Sequence, residues 1–136
     1  VKHIKAVNKT NHEISIDPHQ KVTRSHYIDE LRNSIVCPSP FGKGEICYRD
    51  FEAYMTGSIL YKPSMDHIKT FPELYINNQT YIEHEWNFNN FTEQIETILI
   101  DPKIYEDITN TAKKIFSGFF HASEPFISQI KELLQR

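Results

Sequence analysis

Two short apolar runs, SIVCP at 34–38 and SILYK at 58–62, flank a polar loop and a stretch of helical period. This arrangement constrains the fold more than any other part of the chain. Neither run carries a charge before its last residue, and Pro38 and Pro63 close them, which is the pattern of parallel strands buried on both faces. Between them, Cys47, Phe51, Tyr54 and Met55 recur at i, i+4, i+7 and i+8, predicting a helix from about Cys47 to Thr56. That face is apolar, with Arg49, Ala53 and Thr56 opposite and Glu52 on the flank. Gly57 suits the position just past the helix. Strand, loop, helix and strand make a βαβ unit with a right-handed crossover. Ligands of such sheets bind outside the carboxyl ends of the strands, so the loop after Cys37 and the segment after Lys62 are expected to share one crevice.

The loop itself, PSPFGKGEI, holds two of the chain's four glycines, Gly42 and Gly44. A strand-to-helix turn needs at most one residue that tolerates positive φ. The second glycine therefore points to close approach of a ligand to the backbone.

The remaining chain alternates in the same manner and predicts an α/β fold in one domain. Residues 1–20 read as irregular, with HIKAV a remnant strand. Ser25 is placed as an N-cap ahead of Tyr27, Ile28, Leu31 and Ile35. PSMDHIKTFPELY reads as a long, partly helical connection, and QTYIEHEW as a last strand. Asn90 with Glu93 forms a capping-box pattern before Phe91, Ile95, Ile98 and Leu99. Asp101-Pro102 restarts a helix carrying Ile104, Ile108, Ala112 and Ile115, which is expected to end at Gly118. A terminal helix over 117–136 then presents Phe126, Ile127, Ile130, Leu133 and Leu134 inward.

Composition narrows the function. A formal charge of −3 with interspersed signs gives no electrostatic footprint for nucleic acid. No apolar run approaches the ~20 residues of a membrane span. Cys37 and Cys47 show no zinc spacing and read as buried thiols in a reducing, cytoplasmic setting. The seven histidines contain no HxH, HxxxH or HExxH spacing, so no metal or other cofactor is expected. His67, beside Asp66, is the histidine placed toward the ligand side. Trp86, Tyr81 and Phe88 read as packing residues, because no basic stripe surrounds them.

The ordered run SIVCPSPFGKGEICYRDFEAYMTGSILYK, continued by the TY strand and two helices, resembles the donor-binding, C-terminal half of a GT-B glycosyltransferase of the group-1 retaining class. The likeness spans about residues 21–116. It implies a Rossmann-like parallel sheet flanked by helices, with the first strands of that domain missing from a chain that begins without methionine. It also implies binding of a nucleoside-diphosphate sugar and sugar transfer to an unidentified acceptor, with a separate N-terminal acceptor domain as partner. In such a domain Ser39, Gly42 and Gly44 would line the donor site. The loop and the helix start would face the diphosphate, where free N–H groups and the positive helix end suit an anion. Glu52 would accept from the ribose hydroxyls. Glu45 would stand near the donor sugar, one residue late for the family's Glu-x7-Glu pair. Arg49, with Glu45 in a catalytic role, and Lys62 would neutralise phosphate.

Each residue also has an ordinary structural role open to it. Glu45 and Arg49 can pair across i, i+4 on a solvated face, Gly44 can serve a turn, and Lys62 can be a solvated strand end. A non-catalytic α/β module that binds a nucleotide or a protein is thus the alternative to the enzyme.

Overall fold

Val36–Pro38 (β1), Ile59–Lys62 (β2) and Tyr81–Glu83 (β3) form one parallel sheet in the order β1-β2-β3. The computed structural model describes residues 21–121 and 123–135. The expectation for residues 1–20 therefore lies outside the described residues. Leu60 registers with Cys37 on one side and Tyr81 on the other. Every residue of β2 is buried, as the apolar run required of a central parallel strand.

Strand alternation divides the core in two. Cys37, Leu60 and Tyr81 face Leu31, Ala53, Tyr54, Met65, Tyr75 and Ala112. Val36, Ile59, Tyr61 and Ile82 face Ile95, Ile98 and Ile108. Helices Arg24–Arg32 (α1) and Tyr48–Thr56 (α2) supply the first layer. Phe91–Ile100 (α3) and the start of Pro102–His121 (α4) supply the second. Ala112 and Phe116 carry α4 onward against the first core, and Ser123–Leu134 (α5) follows. This is the expected α/β architecture, with an open three-stranded parallel sheet and five helices among the described residues.

Several local expectations are corrected. Thr23, not Ser25, caps α1, its hydroxyl accepting from the His26 N–H at 3.3 Å. The 63–80 connection contains no helix. Asn90 precedes α3 but makes no side-chain cap, and its buried Oδ1 has no protein partner. Helix α4 runs through Gly118, a tolerated glycine that costs about 1 kcal/mol relative to alanine. Phe126, Ile127 and Ile130 are more than one third exposed rather than inward, and Leu134 is almost fully so. The expectation for Leu133 lies outside the described side chains. Gly57 ends α2 as anticipated, at φ +82° with its N–H on the Ala53 carbonyl, a conformation that a side chain would strain.

The phase of α2 is also corrected. Its buried residues are Asp50, Glu52, Ala53 and Tyr54, while Met55 is 56% exposed. The helix turns a carboxylate, not a methionine, into the protein.

His84 follows β3 and is buried between Tyr61 and Phe88, stacked on the latter at 4.2 Å. Its Nδ1 lies 2.8 Å from the Glu85 carbonyl, to which it donates, and Nε2 has no partner. Burial holds its pKa below the ordinary histidine value. The unfolded chain therefore takes up a proton near pH 6.5 that the folded chain refuses, and stability falls as pH drops through that value. His84→Phe is expected to flatten the fall in melting temperature between pH 7.5 and pH 5.5, as thermal unfolding across that range would show. An unchanged slope in the variant would remove His84 from the account.

Candidate functional site

All three parallel strands end on the same side, and the loops after β1 and β2 meet there as the βαβ pattern requires. Glu45 Oε1 lies 2.9 Å from His67 Nε2, joining the first loop to the second. Both side chains are about half exposed. Glu45 is thus turned toward His67, whose place in the loop after β2 marks it as lying on the ligand side.

Beneath the loops lies a buried polar network centred on Asp50. This aspartate is fully buried at the third position of α2. Its carboxylate accepts from Ser39 Oγ at 2.6 Å, Tyr75 Oη at 2.8 Å, Cys47 Sγ at 3.2 Å and the Cys47 N–H at 3.3 Å. Lys62 Nζ lies 3.2 Å from the same carboxylate and 3.3 Å from the Ser39 carbonyl. Burial, followed by the Asp50 charge, pushes the Tyr75 pKa well up, so its hydroxyl stays a donor. Burial pushes the Cys37 thiol up to about 11. A carboxylate taken out of water needs this many donors. The network ties the end of β1, the start of α2, the end of β2 and the 63–80 connection at one point.

Two of the sequence-derived candidates are therefore scaffold in this structure. Ser39 and Lys62 are fully buried and committed to Asp50. Lys62 is neither a solvated strand end nor open to a ligand.

The other candidates converge. An open pocket of about 670 Å³ is lined by Tyr27 of α1, by Gly42, Lys43, Gly44 and Ile46 of the loop, and by Arg49, Phe51 and Glu52 of α2. Gly42, Gly44, Arg49 and Glu52 thus share one cavity, while Ser39, Glu45 and Lys62 lie outside its lining. Tyr27 donates to Glu52 Oε2 at 2.8 Å, and Arg24 stands 3.8 Å from Oε1. Burial, then the bond to Glu52, raises the Tyr27 pKa. Partial burial works to lower the Arg49 pKa, but the adjacent Tyr27 phenol together with Cys37 and Cys47 raises it, and the net shift is upward. Arg49 also donates to the Pro38 carbonyl at 3.4 Å. The first backbone N–H groups of α2, at Tyr48 and Arg49, have no partner within the helix by construction.

The glycines of the loop are not there for the backbone. Neither Gly42 nor Gly44 has positive φ, and a Cβ at Gly42 would meet nothing within 4 Å. At Gly44 it would meet only the Ile46 carbonyl oxygen, 3.7 Å away, an ordinary contact. The fold accepts side chains at both positions.

Tyr27 in the pocket lining, and Asp50 and Tyr75 in the framework, are residues that the sequence pattern does not single out. Tyr27 sat on an apolar stripe, and Asp50 was hidden by a hydrophobic phase that ran past it. A signal for Asp50 was present nonetheless: it stands three residues after the cap residue Cys47, where an acidic side chain closes a helix start.

Comparisons with protein-family models, with curated proteins and with solved structures find no match to the chain. Among the described residues, no helix is long and apolar enough to cross a membrane. Nor do three His, Cys, Asp or Glu side chains among them come together in a way that could hold a metal ion.

Proposed function

We propose that the chain binds a nucleoside-diphosphate sugar in the pocket between the glycine loop and α1, as the donor-binding half of a GT-B-type glycosyltransferase. The observation that carries this reading is the pocket's lining, in which Gly42, Gly44, Arg49 and Glu52 meet beside the start of α2. The diphosphate would lie against the loop amides and the helix start, with Lys43 and Arg49 supplying positive charge. Glu52 would take the ribose hydroxyls through Oε1, while Tyr27 holds Oε2. Transfer would rest on positioning and on stabilisation of the departing diphosphate, with Lys43 of the loop and Arg49 of α2 as the cations and an N-terminal domain bringing the acceptor.

A second reading, binding without transfer, is favoured by one observation. Lys62 is locked to Asp50 and Glu45 to His67, so two of the groups assigned to the chemistry have partners elsewhere.

Calorimetric titration with nucleoside diphosphates and their sugar conjugates tests both. Saturable heat from one base is the expected result, and no heat from any conjugate would sink the donor-binding reading. Because the fold accepts a Cβ at either glycine, the double variant Gly42→Ala, Gly44→Ala is expected to keep its stability within about 1 kcal/mol. Its affinity for the diphosphate is expected to drop about tenfold. Unchanged affinity would mean that no ligand approaches this backbone.

A further inference from the structure

We propose that Phe41, Glu45, His67 and Trp86 form a second site, outside the pocket lining, which takes the ring of a neutral carbohydrate. It goes beyond the donor-binding reading and is built from different residues. Phe41 and Glu45 flank Gly42, Lys43 and Gly44 in the chain and are absent from the pocket lining.

Trp86 is the feature that starts the inference. Sequence pattern placed it in packing, yet its side chain is 68% exposed. It is not loose: its ring meets Phe41 edge-on, with centroids 5.1 Å apart at 83°. Phe41 in turn meets His67 at 6.5 Å and 69°, and Lys62 Nζ lies 5.1 Å from the Phe41 ring centroid. The salt bridge of Lys62 to buried Asp50 fixes that cation, so the aromatic group is braced from below by the polar network. Glu45 continues the row through its 2.9 Å contact with His67. One residue from each strand-end loop thus contributes to a continuous strip: Phe41 after β1, His67 after β2 and Trp86 after β3.

The chemistry of the strip selects the ligand. A pyranose presents apolar C–H groups on its face and hydroxyls around its rim. An exposed indole accepts the former, and a half-exposed carboxylate and imidazole accept or donate to the latter. The ionisable neighbours in sequence are acidic on two of the three loops, with Asp66 beside His67 and Glu85 beside Trp86, both exposed. Lys43 and Arg49, the cations suited to a phosphate, line the pocket instead.

Trp86 is the sole tryptophan of the chain, so its emission reports on the strip directly. The test titrates the chain, without nucleotide, with methyl glycosides of glucose, galactose, mannose and N-acetylglucosamine. Saturation-transfer NMR on the glycoside ring protons is the second readout. A saturable emission change at millimolar sugar is expected, with transfer to the ring C–H groups. Trp86→Ala should abolish the transfer while leaving the melting temperature in place, and Trp86→Phe should retain part of it. Glu45→Gln should weaken binding about tenfold, equivalent to about 1.4 kcal/mol. No saturable response to any glycoside, or full transfer in Trp86→Ala, would overturn the site. So would emission changes produced by nucleoside monophosphates but by no sugar, since the strip would then stack a base. Sugar binding in a chain that gives no heat with any nucleotide supports the strip and overturns only the pocket reading. Nucleotide binding without a sugar response does the reverse.

Discussion

Asp50→Ala is expected to destabilise the protein by about 3–5 kcal/mol, because it strands the buried Lys62 ammonium without a counter-charge. The loss reaches further than one ion pair. Ser39 Oγ, Tyr75 Oη and Cys47 each lose an acceptor at the junction of β1, α2 and the 63–80 connection. Against a total stability that is typically about 5–15 kcal/mol, the variant sits near the folding threshold. Denaturant unfolding at low temperature is the suitable measurement. The paired replacement Asp50→Asn, Lys62→Met removes both charges, keeps the lysine stem's volume and leaves one acceptor for the hydroxyls. It is expected to recover more than half of the loss, since a buried ion pair contributes little net once both partners are exchanged. A cost below about 1 kcal/mol for Asp50→Ala would show that water reaches the network and relieves Lys62.

Glu52→Ala is expected to weaken binding of the nucleoside-diphosphate sugar between about tenfold and a hundredfold, the range for losing a charge-assisted hydrogen bond to a ligand hydroxyl. The fold should lose only about 1 kcal/mol, from the Tyr27 hydroxyl left without its acceptor. A ligand lacking the ribose hydroxyls separates the two effects. Wild-type protein should bind the 2′,3′-dideoxy nucleotide about as weakly as the variant binds the ordinary one, and the variant should no longer distinguish them. If calorimetry gives equal affinities for wild type and Glu52→Ala, the ribose assignment is wrong, whatever else the pocket holds.

These two residues lie two positions apart on α2, yet the sequence treats them differently, and the reason is physical. Glu52 could be marked because the resemblance to a GT-B donor domain assigns it the ribose hydroxyls, and its flank position near a glycine loop agrees with that. Asp50 could not, because hydropathy periodicity assigns carboxylates to solvent by default, and here the buried face runs through one. The correct phase depends on Lys62, Tyr75 and Ser39 arriving from elsewhere to satisfy it, and their positions are 12, 25 and 11 residues distant in the chain. Met55 shows the same error from the other side, apolar in type and 56% exposed. Lys62 illustrates it again: a lysine at a strand end reads as solvated until a buried acid claims it.

The sequence alone determined the βαβ core. Proline-bounded apolar runs and a glycine-terminated helical period are local signals, set by backbone sterics and by which residues tolerate burial on both sides of a sheet. From them followed the parallel sheet, the side on which the loops emerge, and the meeting of the Glu45 and His67 loops. Only the tertiary structure decided which polar residues are framework and which face open space. It sent Ser39 and Lys62 inward to Asp50, brought Tyr27 beside Glu52 and Arg49, and left Trp86 exposed on Phe41. A charged or aromatic side chain goes where its partners are, and those partners are distant in the chain.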